Sequence, residues 1–552
     1  EIAVWLRRAE SRREYHALVE VPKVLPRFVE VRGRDKRKRQ TFVTLEDLIL
    51  NHLDLLFVEC RILNTLPFRL TRDMDFTIDE EGVADLLAHL EKQLLRRRRR
   101  ATVRLELCTG ASRKLANWLI RQLDIDRMAV YRMQGPLDLA GVFELLDKTV
   151  RPELVEEPWP PLPVPDVDPE LPVAISIRRQ GRIPLFHPFQ TFDPVVRLLE
   201  EAAADPAVLA IKQTLYRVSG ESPIVHALQR AAENGKQVTV IVEVKARFDE
   251  ERNIAWARRL EESGAHVVYG IVGLKIHCKA LLIIRREEGR VARYLHLATG
   301  NYNDRTARLY TDIGMFTDDR DTCMDVAALF NVMTGYSAPP PWRMVSAAPF
   351  TLRQSFLSMI DREARLSSDR QPGHIVAKMN SLVDPEVIEH LYRAADAGVR
   401  VELVVRGICC LNPGVNPENI TVVSIVDRFL EHSRIYYFAN GGQPEYYLSS
   451  ADWMPRNLDR RIELLFPVED EKTRDLLGGI LRIQLSDKWK GRFLGPDGIY
   501  RRPASRDPET RSQYRTYELF RERVERARRR LPSTTDRRER ILRGPREDPD
   551  TV

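Results

Sequence analysis

Residues 210–244, AIKQTLYRVSGESPIVHALQRAAENGKQVTVIVEV, decide the fold. They predict a strand at 210–215, a helix at Ile224–Asn234 that ends before Gly235, and a second apolar strand at 238–244. Short β-branched strands that alternate with helices are typical of a parallel or mixed sheet with crossover helices. The stretch therefore predicts an α/β domain.

The same order of elements returns later in the chain. The second copy consists of AKMNSL at 377–382, a helix at Pro385–Ala397, Gly398 and the strand VELVV at 401–405. Each copy is followed by a histidine with a cation two positions later, HCK at 277–279 and HSR at 432–434. A pseudo-twofold pair of α/β domains that share one site at their interface explains this repeat.

Composition divides the chain further. Strands such as His16–Val21 and an amphipathic helix at Glu81–Arg96 predict an α+β head domain. The predicted divisions are a head at 1–150, a proline-rich linker at 151–172, α/β domains at 173–340 and 341–505, and a charged helix and tail at 506–552.

Charge and cysteine content restrict the class of protein. Lys and Arg number 87 against 80 Asp and Glu, so the net charge of +7 favours no partner by itself. The basic runs Arg32–Arg39 and Arg96–Arg100 could meet a polyanion, but they are interpreted as a solvated face or a flexible loop. The six cysteines lack zinc spacing, which predicts reduced thiols in a cytoplasmic protein, with peripheral association at the inner membrane face left open. The sequence has no run of about eighteen apolar residues, so it predicts no membrane span. The first residue is Glu1, which suggests a fragment.

The segment GLKIHCKALLII at 273–284 is the first candidate for chemistry. If it is one strand, alternation places Lys275, His277 and Lys279 on one face. A neutral imidazole is an effective phosphoryl acceptor, and nearby ammonium groups would offset phosphate charge. We therefore expect His277 to be a phosphoryl-accepting nucleophile, although a lone strand histidine is more often structural.

His432 is the counterpart of His277 in FLEHSRIYYF, where alternation aligns it with Arg434 and Tyr436. Its expected role is a hydrogen bond to the reacting phosphate or proton delivery to the leaving oxygen. Tyr310 could stack on a purine or simply pack in the interior. A set of arginines at strand ends is expected to form a tunnel for a chain anion: Arg217, Arg247, Arg406, Arg456, Arg460 and Arg461.

At these residues the sequence resembles the polyphosphate kinase family, whose catalytic part is a phospholipase D-like pair of domains. The resemblance covers residues 15–505 nearly continuously. The stretches that carry it are LFHPFQTFDPVV, IKQTLYRVSGESPIV, VEVKARFDEERNI, GLKIHCK, TGNYNDRTARLYTDIG, VVRGICCLNPG, HSRIYYFANGG and SSADWMPRNLDRR.

The resemblance implies a reversible transfer of the terminal phosphate of ATP to polyphosphate, with Mg²⁺ and a homo-oligomer formed through the head domain. His277 would be the phosphohistidine and His432 the second active-site histidine. Nucleotide or phosphate contacts would come from His432, Tyr310, Arg406, Lys275, Lys279, Arg456 and Arg461. Arg217 and Arg247 match the family's magnesium site, where we expect them to hold phosphate oxygens that bind the metal.

Two departures from known patterns bear on the alternatives. The phospholipase motif H-x-K-x4-D is incomplete, because Ile284 and Ala439 stand where the acids would be. We interpret this as favouring the kinase over a phosphodiesterase. The family also has an N-terminal domain before the equivalent of residue 1, so an inactive polyphosphate-binding fragment is a second alternative. No nucleic-acid partner is expected.

Overall fold

The computed structural model describes residues 1–8, 13–31, 40–73, 101–110, 112–148, 151–216, 218, 221–243, 250–271, 273–335 and 337–530. Outside these lie the predicted helix Glu81–Arg96, the basic runs Arg32–Arg39 and Arg96–Arg100, and the site candidates Arg217 and Arg247. The chain divides into two compact units, unit 1 at Glu1–Pro158 and unit 2 at Trp159–Val552.

Unit 1 confirms the predicted α+β character. Its strands are β1 Ile2–Arg8, β2 Glu14–Val19, β3 Phe28–Val31, β4 Thr41–Thr44, β5 Cys60–Arg72, β6 Thr102–Cys108 and β7 Val130–Met133. Its helices are α1 Leu45–Asn51, α2 Leu53–Leu56, α3 Arg113–Gln122 and α4 Glu144–Lys148. Five strands form a sheet in the order β2-β1-β5-β6-β7, and β3 pairs with β4. Leu115 and Leu119 of α3 pack on Leu66 and Phe68 of β5 to form its core.

Unit 2 is a mixed α/β structure with two large sheets. Its strands are β8 Arg182–His187, β9 Val208–Leu215, β10 Gln237–Val242, β11 His266–Val268, β12 Lys275–Ile276, β13 Lys279–Glu287, β14 Arg290–Ala298, β15 Tyr310–Thr317, β16 Ser346–Ala348, β17 His374–Met379, β18 Arg400–Val405, β19 Ile420–Ile425, β20 Leu430–Glu431, β21 Ile435–Phe438, β22 Glu445–Ser449, β23 Arg461–Val468, β24 Gly491–Leu494 and β25 Tyr500–Arg501. Its helices are α5 Val173–Gln180, α6 Asp193–Ala204, α7 Pro223–Glu233, α8 Glu250–Glu262, α9 Arg320–Met333, α10 Leu352–Leu366, α11 Pro385–Asp396, α12 Pro455–Asp459, α13 Glu471–Leu485 and α14 Ser512–Arg530.

The two sheets repeat one topology. The first has the order β11-β10-β9-β13-β14-β15-β20, and β8 also pairs with β15. The second has the order β12-β23-β22-β21-β17-β18-β19-β24-β25, and β16 also pairs with β23. The predicted units are confirmed as β9-α7-β10 and β17-α11-β18. Gly235 and Gly398 follow the two helices at φ of +76° and +83°, a conformation that a side chain disfavours.

The two halves exchange one short strand each. Strand β12 precedes His277 but pairs in parallel with β23 of the second half, with Ile276 opposite Ile462. Strand β20 precedes His432 but pairs in parallel with β15 of the first half. The predicted single strands GLKIHCKALLII and FLEHSRIYYF are therefore wrong, since each chain segment leaves one sheet at its histidine and enters the other. Lys275 and Lys279 consequently belong to different sheets, and strand alternation does not place them on one face.

Aromatic side chains join the last helix to the interior of unit 2. Phe520 of α14 stacks on Phe186 and Phe189, with ring centroids 5.3 and 6.2 Å apart. Trp159, in the proline-rich segment, stacks on Tyr517 of the same helix at 5.7 Å. All six cysteines are free thiols. No helix in the described ranges is both long and apolar enough to cross a membrane.

Candidate active site

His277 stands where the chain passes from β12 to β13. Its backbone N–H and that of Cys278 both donate to the carbonyl of Ile462, at 2.9 and 2.8 Å. Its side chain is buried, and Nδ1 lies 2.9 Å from a carboxylate oxygen of Glu463 on β23. The N–H at Nδ1 donates a hydrogen bond to Glu463, so Nε2 keeps the lone pair that a nucleophile needs.

His432 has the same arrangement with the two halves interchanged. It follows β20, and its Nδ1 lies 2.8 and 2.9 Å from the two carboxylate oxygens of Asp312 on β15. Thr311 supports the backbone here, because its hydroxyl accepts the N–H of His432 at 3.1 Å. Each histidine is thus held by a carboxylate from the other half, which is a direct consequence of the strand exchange.

A hydroxyl holds each carboxylate in the same way. Thr299 donates to Asp312 at 2.7 Å, and Ser450 donates to Glu463 at 2.5 Å. Each hydroxyl stands 13 residues before its carboxylate. Each also accepts the backbone N–H that follows the carboxylate, at 3.0 Å in both halves. The pseudo-twofold repeat therefore extends to individual hydrogen bonds.

Lys279 and Arg434 occupy equivalent places two residues after the histidines. Both donate to the carbonyl of their own histidine, Lys279 to His277 and Arg434 to His432. Arg434 also forms a buried ion pair with Asp452, Nε to oxygen, at 3.1 Å. Its Nη1 lies 3.2 Å from Nε2 of His432. A lysine and an arginine side chain are therefore fixed beside the two histidines.

The environment separates the two histidines electrostatically. Burial, reinforced by the charges of Lys279, Arg461 and Arg434, places the pKa of His277 well below its usual value. Burial also lowers the pKa of His432, but the Asp312 carboxylate opposes that effect. Both pKa values lie below the ordinary value of histidine, that of His277 the further below, and His432 has in Asp312 a charged partner that opposes the effect of burial.

The two carboxylates differ in the same sense. Burial raises the pKa of Glu463 to about 7, although Lys279 and Arg461 oppose the shift. Burial would also raise the pKa of Asp312, but His432 and Arg434 bring it below its ordinary value. Asp312 is therefore a firm anion, whereas Glu463 titrates near neutrality. Burial likewise lowers the pKa of Lys279 to about 7.

Glu431, the residue before His432, anchors a buried polar network. Its carboxylate lies 3.0 Å from the ammonium of Lys378 and 2.7 Å from the side-chain amide of Gln513. Thr311 and Gln484 each donate to the same carboxylate at 3.0 Å. Helices α13 and α14 are thereby connected to the segment that carries His432.

The other predicted residues lie at different distances from the histidines. The Tyr310 ring is 5.5 Å from that of His432. Arg406 donates to Asn380 through Nε at 3.0 Å and Nη2 at 2.7 Å, and Asn380 donates to the carbonyl of His432 at 3.1 Å. Arg461 lies 3.7 Å from Glu463, and Lys275 pairs with Arg461 across β12 and β23. Arg456 is exposed on α12, and Arg460 is exposed at its end.

The described part of the chain contains no group of three or more His, Cys, Asp or Glu side chains that could hold a metal ion. The donor set therefore does not fit a magnesium site built from protein ligands alone.

Sequence reasoning missed Glu463, Asp312 and Asn380. The histidine–carboxylate contacts span 186 and 120 residues, which no local motif reveals. The signal that was available is the hydroxyl and the carboxylate 13 residues apart in both halves. The interpretation that the missing acids at Ile284 and Ala439 favour a kinase stays a prediction, and carboxylates of the opposite half, Glu463 and Asp312, contact the two histidines.

Three parts of the chain match models of one protein family. Family models match residues 1–145 as "Polyphosphate kinase middle domain", 174–339 as "Polyphosphate kinase C-terminal domain 1" and 345–513 as "Polyphosphate kinase C-terminal domain 2". The chain is 48% identical to a polyphosphate kinase of Halalkalibacterium halodurans, over 91% of this chain and 71% of that protein. It is 45% identical to one of Exiguobacterium sibiricum, over 93% and 72%. A crystal structure of the polyphosphate kinase from Porphyromonas gingivalis aligns with a TM-score of 0.81 at 34% identity, covering 95% of this chain and 78% of that one.

Proposed function

The chain belongs to the polyphosphate kinase family of ATP–polyphosphate phosphotransferases, and from this premise we propose that the phosphoryl group is carried by His277. Nε2 of His277 attacks the γ-phosphorus of ATP, the bond to the β,γ-bridging oxygen breaks, and ADP leaves. A terminal oxygen of polyphosphate then attacks the same phosphorus, and the P–N bond breaks. The observation that carries the proposal is the 2.9 Å contact of Nδ1 with Glu463, which leaves Nε2 as the nucleophilic nitrogen.

His432 assists the nucleophile in this proposal. Burial lowers the pKa of His432, and the Asp312 carboxylate opposes this effect and stabilises the protonated imidazole, the form that can donate to the oxygen that leaves. Because the step that forms polyphosphate is a phosphoryl transfer between similar anions, the same groups serve the reverse reaction, in which polyphosphate phosphorylates ADP. We propose that the reaction is reversible on this ground.

The remaining residues neutralise and orient phosphate. The charges of Lys279, Arg434 and Arg461 act on His277, and these side chains would hold the transferring group. Tyr310 and Arg406 flank His432 and would hold the nucleotide. Lys275, Arg456, Arg217 and Arg247 remain predictions from the sequence as phosphate contacts. Mg²⁺ enters in this proposal as part of the nucleotide substrate, bound to its phosphate oxygens.

The direct test is incubation of the chain with γ-labelled ATP and Mg²⁺, followed by quenching. We expect label on the protein that is labile in acid and stable in base, and we expect none in His277→Ala. The matched control is His226→Ala, a surface histidine of α7 whose Nε2 lies 3.3 Å from Glu221. Label retained in His277→Ala, or lost in the control as well, would contradict the proposal.

A second candidate function is hydrolysis of phosphodiesters. The observation that favours it is the pair of histidine–carboxylate contacts, because two imidazoles each held by an acid can also cleave a diester. Cleavage of bis(p-nitrophenyl) phosphate without nucleotide would support this candidate. Absence of cleavage together with label from ATP would exclude it.

Two further predictions from the sequence complete the proposal. We propose that unit 1 brings copies of the chain together as a homo-oligomer, which light scattering of the intact chain and of unit 2 alone would test. We also keep a cytoplasmic location, with peripheral attachment to the inner membrane face as the alternative, and no nucleic-acid partner.

A further inference from the structure

A small cavity in unit 2 borders Asp312, the carboxylate that holds His432. The space open to the centre of a water molecule is about 10 Å³, which is close to the room that one water needs. The polar lining comes from His187, His296, Asn301, Tyr302 and Asp312, and the remaining wall includes Phe192, Ala298 and Ala307.

Three buried polar atoms of this lining have no hydrogen-bond partner. They are Nε2 of His187, Nε2 of His296 and Oδ1 of Asn301. His187 is 4% exposed and His296 is 1% exposed, so bulk solvent does not satisfy them. Buried polar atoms are normally paired with protein or with ordered water, and three unpaired atoms around one cavity therefore indicate a bound group.

Three groups of the lining select a hydrogen-bond donor. Nδ1 of His187 lies 3.0 Å from the carbonyl oxygen of Gln190, so Nδ1 carries the proton and Nε2 is an acceptor. Oδ1 of Asn301 and the Asp312 carboxylate are acceptors too. Burial lowers the pKa of His187, which keeps its imidazole neutral. A water molecule supplies two donors and fits the available space.

The first half of the pseudo-twofold repeat has an imidazole next to its carboxylate, and its backbone leaves space for that carboxylate. His187 stands opposite Asp312 across β8 and β15, whereas Ala348 stands opposite Glu463 at the equivalent place in β16 and β23. A Cβ on Gly300 would lie 2.1 Å from Cγ and Oδ2 of Asp312, so any side chain there would displace the carboxylate. His187 therefore stands next to Asp312, the carboxylate that contacts His432, whereas Glu463 has an alanine at the equivalent place.

From this geometry we propose that the cavity holds one ordered water molecule, which donates to Nε2 of His187 and to Asp312. The water fixes the Asp312 carboxylate against Nδ1 of His432, so His187 is a positioning residue that acts through Asp312. This inference rests on the role proposed above for His432 and extends it by a water site and a residue that contacts no substrate.

The test compares the full chain with two variants. His187→Asn keeps a donor to the Gln190 carbonyl but removes the acceptor at Nε2, whereas His187→Gln places an amide oxygen near that position. We expect kcat to fall roughly tenfold in His187→Asn with KM for ATP and melting temperature unchanged, and we expect His187→Gln to restore kcat. His374→Asn is the control, because His374 pairs with Glu402 at 2.8 Å elsewhere in the second sheet.

High-resolution crystal structures of the same proteins provide the second measurement. A water peak between residue 187 and Asp312 in the wild type and in His187→Gln, lost in His187→Asn, supports the proposal. An empty cavity in the wild type overturns the water site, and an unchanged kcat in His187→Asn overturns the positioning role. Equal losses in both variants with a lower melting temperature also overturn it. The water density is read without turnover, so a wild type that forms no phosphoenzyme would contradict the proposed function and leave this site untouched.

Discussion

Glu463 is fully buried between groups that compete for its carboxylate. It accepts from His277 at 2.9 Å and from Ser450 at 2.5 Å, and Arg461 lies 3.7 Å away. Burial nevertheless dominates and raises its pKa from 4.5 to about 7. A carboxylate held in so unfavourable a place is expected to serve the reaction more than the fold.

The change Glu463→Gln should separate these two contributions. Because the pKa is raised in the folded state, ionising Glu463 costs folding free energy as the pH rises above 4.5, and glutamine avoids that cost. We therefore expect an unchanged or higher melting temperature at pH 8, together with a fall in phosphoenzyme formation of about 10². Differential scanning calorimetry and rapid-quench labelling measure the two quantities.

Glu402→Gln is the matched control for that variant. Glu402 also contacts a histidine at 2.8 Å, but that histidine, His374, lies at the start of β17. Full labelling is expected there. Equal rates for the two variants would show that Glu463 has no role in the transfer.

The pH dependence of labelling follows from the two groups that titrate near neutrality. Below about pH 7 Glu463 gains a proton and no longer balances the positive charge that the imidazole of His277 acquires as it attacks phosphorus. Above about pH 7 Lys279 loses its charge. We expect a bell-shaped profile of kcat/KM centred near pH 7. In Lys279→Arg the fall on the alkaline side should move to higher pH, because a guanidinium stays charged. An alkaline limb that does not move would contradict the assignment to Lys279.

At the scale of elements, the exchange of β12 and β20 between the sheets creates the site. The repeat of strand, helix, glycine and strand was predictable, because helical and strand periodicity are local properties of the sequence. The break of the strand at His277 was not predictable, because it depends on the carbonyl of Ile462 accepting two N–H groups from a distant segment. The carboxylates were missed for the same reason, since pairing across the exchanged strands decides their partners.

Helix α14 contributes to the site through Gln513. This side chain donates to Glu431 at 2.7 Å and to the carbonyl of Phe429 at 2.8 Å, and it accepts the N–H of Phe429 at 2.9 Å. Gln513→Leu leaves these buried groups short of partners, so we expect the free energy of unfolding to fall by about 2–4 kcal/mol. Urea denaturation followed by tryptophan fluorescence measures this.

Gln354→Leu is the control for Gln513→Leu. Gln354 is exposed on α10, and its side-chain amide donates to the hydroxyl of Ser358 at 3.3 Å. Its replacement should change stability by less than about 0.5 kcal/mol. A Gln513→Leu chain as stable as this control would contradict the role given to the network around Glu431.

At the scale of the whole molecule, two nearly symmetric halves have acquired different electrostatics. The hydroxyl, carboxylate and histidine of each half correspond, yet Glu463 titrates near pH 7 and Asp312 stays ionised. The difference favours a neutral nucleophile in His277, and in the proposed mechanism the Asp312 anion stabilises the protonated form of His432.

His432→Ala tests this division. We expect phosphoenzyme formation to slow by about 10²–10⁴, the usual contribution of a general acid, while label still accumulates during long incubation. Rapid-quench time courses measure the rate and the final amount separately. A variant that never acquires label would show that His432 carries the phosphoryl group or is needed to build the site.

The most direct measurement of the central claim is the location of the phosphoryl group. After a brief reaction with ATP and Mg²⁺, the quenched chain is digested at alkaline pH, at which phosphohistidine is stable. Its phosphopeptides are then sequenced by mass spectrometry. The account predicts phosphate on His277 and none on His432. Phosphate on His432, or on any residue other than His277, would contradict it.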